Sequence, residues 1–240
     1  MVDERVREPL AVVDDATRRL VDSLHGVDDA WCRTPSRLPR WSRGHVLTHL
    51  ARNADALDHL ASATARGDHV SMYGPEGARE ADIEAGAGRP ADELVWDVRD
   101  SAARLLATCQ SLPDDRWDLV AEWRAGRRQP LRDIPLARVV EVEVHRVDLG
   151  TGYRPEDWPG SSTDLLLTAA LARLAGTPHP PQIRLDVDDG MTAALTVGDD
   201  PAPVTVGGPA GRMVTWLMGR DDGAGLRCDG PLPHLPAAWA

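Results

Sequence analysis

Four stretches in the first 150 residues of this chain repeat their apolar side chains at helical spacing, and this pattern constrains the fold more than any other feature. The first runs from about residue 2 to 24, with Val6, Leu10, Val13, Leu20 and Leu24 on one face. The second covers about 43–66, with Leu47, Leu50, Ala54, Leu57 and Ala61 as its stripe; Ser42 is placed to cap its start and Gly67 to close it. A third is opened by Pro90 and runs to about Leu112, with Leu94, Val98, Ala102, Leu105 and Leu106 inward. The fourth spans about 134–149 and stops at Gly150 and Gly152. A helix with a single apolar stripe must bury it against a partner, so four in succession predict a bundle. Two long connections interrupt them. "HVSMYGPEGAREADIEAGAGRP" is glycine-rich and carries a polar patch, "READIE", that reads as a short helix. "PDDRWDLVAEWRAGRRQPLRD" reads as a plain connection. Connections this long inside a compact domain are often functional.

After "YRPEDWPG" the texture changes. "STDLLLTAALARLAG" is helical; "QIRLDVDD", "TAALTVG" and "PVTVGG" alternate as strands do, with Asp-Gly at 189–190 as a turn signal. "PAGRMVTWLMGR" predicts a helix stopped near Gly219, and "GLRCDG" a short last strand. The expected fold class is therefore α+β, with a helical domain over residues 1–157 and a small α+β domain over 158–240.

Composition narrows the function classes. The formal net charge of −11 provides no concentrated basic face for a phosphate backbone, so no nucleic-acid partner is expected. All 27 basic residues are arginine, which excludes lysine-based Schiff-base chemistry and, together with abundant Ala, Gly and Asp, points to a GC-rich bacterial genome. Cys32, Cys109 and Cys228 are scattered and odd in number, so neither a disulfide framework nor a cysteine zinc site is expected, and none sits in a motif that would activate it as a nucleophile. The N-terminus lacks a signal-peptide pattern and no apolar run approaches spanning length. The expectation is a cytoplasmic protein with no membrane partner, a monomer or weak homo-oligomer.

The chemistry-bearing residues lie on the second and fourth helices. In "WSRGHVLTHLARNADAL", His49 sits at the edge of the apolar stripe, with Asn53 one turn on and His45 further round toward solvent. His45, His59 and His69 read as surface residues. In "LARVVEVEVHRVDLG", Val140, Val144 and Val147 form the stripe, and Glu141, His145 and Asp148 fall together beside it. Glu143 and Arg146 fall on the opposite flank, so Glu143 cannot join His145 at one metal. Two imidazoles and a carboxylate are a recurring ligand set for catalytic zinc, and they accept Fe(II), Ni(II) or Mn(II) as well. The pattern alone leaves a second reading open: His49 as a hydrogen-bonded packing residue, and Glu141 with His145 as a charge-assisted pair.

Four motifs, "WSRGHVLTHLARNADAL", "MYGPEGAREADIEAGAGRP", "EVEVHRVDLGTGY" and "VTWLMGR", together resemble the mycothiol-dependent maleylpyruvate isomerase family, in order and over nearly the whole chain. The resemblance implies a DinB-like four-helix bundle followed by a small α+β domain. It implies a Zn²⁺ site at His49, Glu141 and His145, with mycothiol as the thiol cosubstrate. It also implies arginines for a small anionic substrate, matched here by Arg79 and Arg220, although Arg79 reads equally as a solvated charge. Arg220, after an apolar helix, is expected to reach across the domain cleft toward the zinc pocket and hold a substrate carboxylate or the thiol cofactor. The implied reaction is cis–trans conversion of maleylpyruvate to fumarylpyruvate by reversible thiolate addition. Two other functions stay open: a mycothiol S-transferase acting on another electrophile, and a non-catalytic binding or regulatory module whose metal is structural.

Overall fold

The structure is a computed structural model that describes residues 4–188, 195–197 and 204–235. The chain forms two compact units, residues 1–152 and 153–240. Residues 153–157, grouped with the helical domain on sequence grounds, belong to the second unit.

The first unit is a bundle of α1 (Glu4–Ser23), α3 (Arg43–Arg66), α5 (Ala91–Ser111) and α6 (Ile134–Asp148), the four helices that apolar spacing predicts. Two short helices, α2 (Asp29–Arg33) and α4 (Ala78–Gly86), lie in the connections; "READIE" falls within α4. Ser42 caps α3 through its side chain, which accepts from the His45 amide, and Gly67 closes α3 in the left-handed conformation at φ 90°. The stripes meet in two apolar clusters. One joins Leu20, Leu47, Leu50, Leu94, Val98 and Val142; the other joins Leu10, Leu57, Leu60, Trp117, Leu131 and Ile134. The inward face of α6 is wider than its predicted stripe, because Val139 and Val142 are also fully buried. Helix α6 thus packs on neighbours from more than one side.

The connection between α5 and α6 is not plain. It holds a hairpin of two three-residue antiparallel strands, β1 (Val120–Glu122) and β2 (Arg128–Pro130), with Glu122 opposite Arg128. Strands this short carry too few alternations to be recognised from spacing. The hairpin positions the preceding loop: Ser71 bridges to Glu122, and the Met72 amide donates to the Glu122 carbonyl at 3.0 Å.

Helix α4 lies close against α3 because two glycines allow it. A Cβ on Gly44 would come within 2.2 Å of the Ala87 carbonyl oxygen, and one on Gly86 within 2.5 Å of Thr48 Cγ2. This close approach carries Arg79, at the start of α4, to the side of α3 that bears His49.

The second unit holds α7 (Gly160–Ala175), β3 (Ile183–Val187), β4 (Leu195–Val197), β5 (Val204–Gly208), α8 (Ala210–Leu217) and β6 (Arg227–Cys228). Its sheet has the order β4-β3-β5-β6, with β3 and β5 parallel and the outer pairs antiparallel. Ile183, Leu185 and Val206 are buried on the sheet, as are Leu166, Leu174, Met213 and Leu217 on the helices. Every element expected from the alternation appears; the Asp-Gly turn at 189–190 lies outside the described residues. No helix among the described residues is long and apolar enough to cross a membrane.

Candidate metal centre

His49 points inward from the second turn of α3 and is 3% exposed. Glu141 and His145 project toward it from successive turns of α6. His49 Nε2 lies 2.8 Å from Glu141 Oε2 and 3.0 Å from His145 Nε2, and His145 Nε2 lies 3.3 Å from Glu141 Oε2. Three ligand atoms held by bonds of about 2.0–2.1 Å in tetrahedral arrangement lie about 3.3 Å apart. The triangle found here is therefore nearly the size that a bound divalent ion requires. Among the described residues no fourth His, Cys, Asp or Glu joins the group.

The surroundings bias the protons. His145 Nδ1 lies 2.8 Å from the buried Asp148 carboxylate and donates to it, which turns Nε2 toward the cluster. Burial pushes the His145 imidazole down, but its bonds to Asp148 and Glu141 override this and raise it above its ordinary value. Burial dominates at His49 and lowers it to about 4, so it is neutral at physiological pH. Burial pushes the Glu141 carboxyl up, yet the two imidazoles more than offset this and hold it well below the usual carboxylate range. A neutral imidazole, an anionic carboxylate and a second imidazole oriented by a carboxylate form a donor set suited to a divalent cation. The edge of the Trp41 ring, its centroid 5.6 Å away, walls the His49 ring on one side.

Arg79 stands at this cluster rather than in solvent. Its side chain is 15% exposed, and its Nη2 lies 3.1 Å from His49 Nδ1. A guanidinium only donates, so His49 Nδ1 accepts and the imidazole proton sits on Nε2, directed at Glu141. A metal ion held by His49 would displace that proton.

Sequence reasoning missed Arg138 and Tyr73 and noted Asn53 without giving it a role. Arg138, Asn53 and Tyr73 form a polar group next to the cluster: Arg138 Nη1 donates to Asn53 Oδ1 at 2.8 Å, and Asn53 Nδ2 faces the Tyr73 hydroxyl at 3.5 Å. Arg138 precedes Glu141 by one turn on α6, and that spacing was the available signal. His45, expected at the surface, is half-buried: Nδ1 accepts from the Ser42 amide at 3.2 Å, and Nε2 pairs with Glu84 of α4 at 3.1 Å. It caps α3 and tethers α4. His59 and His69 are exposed, as expected. Arg220 lies in the second unit just after α8, where its amide donates to the Thr215 carbonyl at 2.9 Å.

The chain is thus a helical bundle with a two-histidine, one-glutamate cluster, joined to a small α+β unit. The family model described as the mycothiol maleylpyruvate isomerase N-terminal domain matches residues 13–150. A solved structure described as the mycothiol-dependent maleylpyruvate isomerase is similar at 26% identity and a TM-score of 0.81, over 96% of this chain and 96% of that chain. A variant of that isomerase, with one histidine replaced by alanine, is similar at 25% identity with the same TM-score and coverage. No curated protein matches. The chain belongs to the mycothiol maleylpyruvate isomerase family and is an enzyme of it.

Proposed function

We propose that this chain converts maleylpyruvate to fumarylpyruvate, using a divalent metal, zinc in the first instance, and mycothiol. The observation that carries the proposal is the triangle of His49 Nε2, Glu141 Oε2 and His145 Nε2, with no fourth protein ligand among the described residues. A three-ligand set leaves a position for an external group, whereas a structural site is closed by four. His49, Glu141 and His145 would hold the metal, which would supply Lewis acidity that favours the thiolate form of an external thiol at neutral pH, where a free thiol with a pKa of about 8.5 is mostly protonated.

Two of the chain's three cysteines are unsuited to this role; the third, Cys228, is half-buried on β6 of the second unit. Cys32 and Cys109 are buried in the bundle; burial raises both thiols, Cys109 to about 12. We take the nucleophile to come from outside the chain. Addition of a thiolate to the cis alkene forms a carbon–sulfur bond and sends the π electrons to the conjugated carbonyl oxygen. Rotation about the resulting single bond, followed by collapse and loss of the same thiolate, yields the trans product. Arg79 supplies a guanidinium beside His49 for a substrate carboxylate, and we assign Arg220 to anion binding as well. Reduced cysteines and a thiol cosubstrate suit the cytoplasm.

The deciding assay supplies zinc, mycothiol and maleylpyruvate. The expected product is fumarylpyruvate with the thiol regenerated. A stable thioether instead makes the enzyme an S-transferase, and no turnover with fully loaded metal rejects both. Arg220→Ala is expected to keep metal and stability while losing roughly 30- to 1000-fold in kcat/KM, the effect of removing one charge-assisted contact to the transition state. Arg220→Lys restores little, because an ammonium lacks the planar fork.

A further inference from the structure

Arg138 is a buried cation with no counter-ion bonded to it among the described residues. It is 1% exposed, and burial lowers it only to about 10, so it remains charged. Its Nη1 donates to the Leu50 carbonyl and to Asn53 Oδ1, both at 2.8 Å, while Nε and Nη2 have no partner among the described residues. An isolated buried charge is costly to keep, so its effect on its neighbours is informative.

Hydrogen-bond chemistry fixes the direction of the group it begins. A guanidinium has donors only, so the atom Asn53 turns to it is its oxygen. The Asn53 amide therefore presents its NH₂ on the other side, toward the Tyr73 hydroxyl. An amide NH₂ only donates, so the Tyr73 oxygen accepts. The Arg79 guanidinium, whose carbon lies 5.7 Å from the Tyr73 ring centroid, is likewise a pure donor on this side of the ring. A phenol oxygen that accepts from Asn53 directs its own hydrogen elsewhere, and among the described residues no acceptor is hydrogen-bonded to it. Burial raises the Tyr73 phenol above its ordinary range, so the hydrogen stays in place at neutral pH. Tyr73 is half-buried and reachable, and its backbone carbonyl accepts from Ser71 Oγ at 2.5 Å in the loop that the β1–β2 hairpin holds.

We infer that the Tyr73 hydroxyl donates a hydrogen bond to an oxyanion of the substrate beside the His49–Glu141–His145 cluster, with Asn53 and Arg138 as the residues that aim it. The inference rests on the proposed function only in placing an anionic substrate in this pocket. Two oxyanions share this chemistry: a carboxylate already present in the substrate, and the enolate oxygen formed when the thiolate adds. The hydrogen is shared with that oxygen and kept by Tyr73 when the thiolate leaves, so no net proton transfer occurs.

The test uses the zinc-loaded full chain. Tyr73→Phe keeps the ring and removes the hydrogen-bond donor. Two quantities are measured: the affinity for maleate, an unreactive cis-dicarboxylate, and turnover of maleylpyruvate. A carboxylate role weakens maleate binding; an enolate role lowers kcat by roughly 100-fold with maleate binding unchanged. In both cases zinc content and melting temperature stay at the wild-type values. Asn53→Asp then tests the aiming. It keeps an oxygen for Arg138 but replaces the NH₂ by a second acceptor, which captures the Tyr73 hydrogen. Its loss should match that of Tyr73→Phe, and the double variant should lose no more than either alone. Wild-type turnover together with wild-type maleate affinity in Tyr73→Phe overturns the inference, as do additive losses in the double variant. A wild-type enzyme that binds maleate through Tyr73 but leaves maleylpyruvate unchanged sinks the proposed reaction and not this assignment.

Discussion

Glu141 and Glu143 are the same side chain two positions apart on one helix, and they have opposite fates. Glu143 is fully buried and meets Arg19 of α1 at 2.7 Å. Arg19 in turn pairs with Asp15, so this carboxylate belongs to a closed ionic contact between two helices. Glu141 instead faces two imidazoles, each of which can exchange a proton for a cation. A carboxylate opposite a guanidinium, which cannot be deprotonated, is committed to structure. One opposite two imidazoles is available for chemistry. The helical phase that separates the two residues by about 200° decides which partner each meets.

The comparison is open to direct tests on metal affinity, beginning with the largest effect. His49→Ala should remove most of the bound metal, because it deletes one of the three proposed ligands. Metal content per chain, measured on folded protein, checks this, and an unchanged content places the site elsewhere. Asp148→Asn should weaken metal binding about 10- to 100-fold, as loss of an orienting carboxylate behind a ligating histidine typically does. Titration calorimetry reads the change, and equal affinity would mean that Asp148 does not orient His145. A smaller effect of opposite sign is expected at Arg79. Its guanidinium favours the His49 tautomer with the proton on Nε2, which a metal must displace. Arg79→Gln can accept from Nδ1–H as well as donate, so metal affinity should rise by up to about tenfold, roughly the net worth of one hydrogen bond. Weaker binding in that variant would show that Arg79 supports the site. Glu143→Gln should leave metal affinity unchanged and lower unfolding stability by roughly 1–3 kcal/mol, less than for a fully buried pair because Arg19 is 26% exposed. Metal loss in Glu143→Gln would erase the distinction between the two glutamates.

Much of this contrast is legible in the sequence. The spacing of Glu141 and His145 puts them on one face, and the same arithmetic sends Glu143 to the other flank. Ser42 and Gly67 mark both ends of α3 because capping is a local property of a few residues. The hairpin was not legible, since three-residue strands leave no periodic trace. The environments of His45 and Arg79 were not legible either. Both depend on α4 lying against α3, and that depends on two glycines whose use is visible only once the backbones meet.

Local information thus determined the four helices, the small α+β unit and the phase of each candidate ligand, because turn periodicity and capping act over a few residues. Only the tertiary structure decided that His45 pairs with Glu84 of α4. It also brought the loop holding Tyr73 to the cluster, through a hairpin some fifty residues downstream, and left Arg138 inside the bundle with Asn53 as its partner. Those outcomes depend on contacts between segments far apart in the chain, which packing selects and local spacing does not encode.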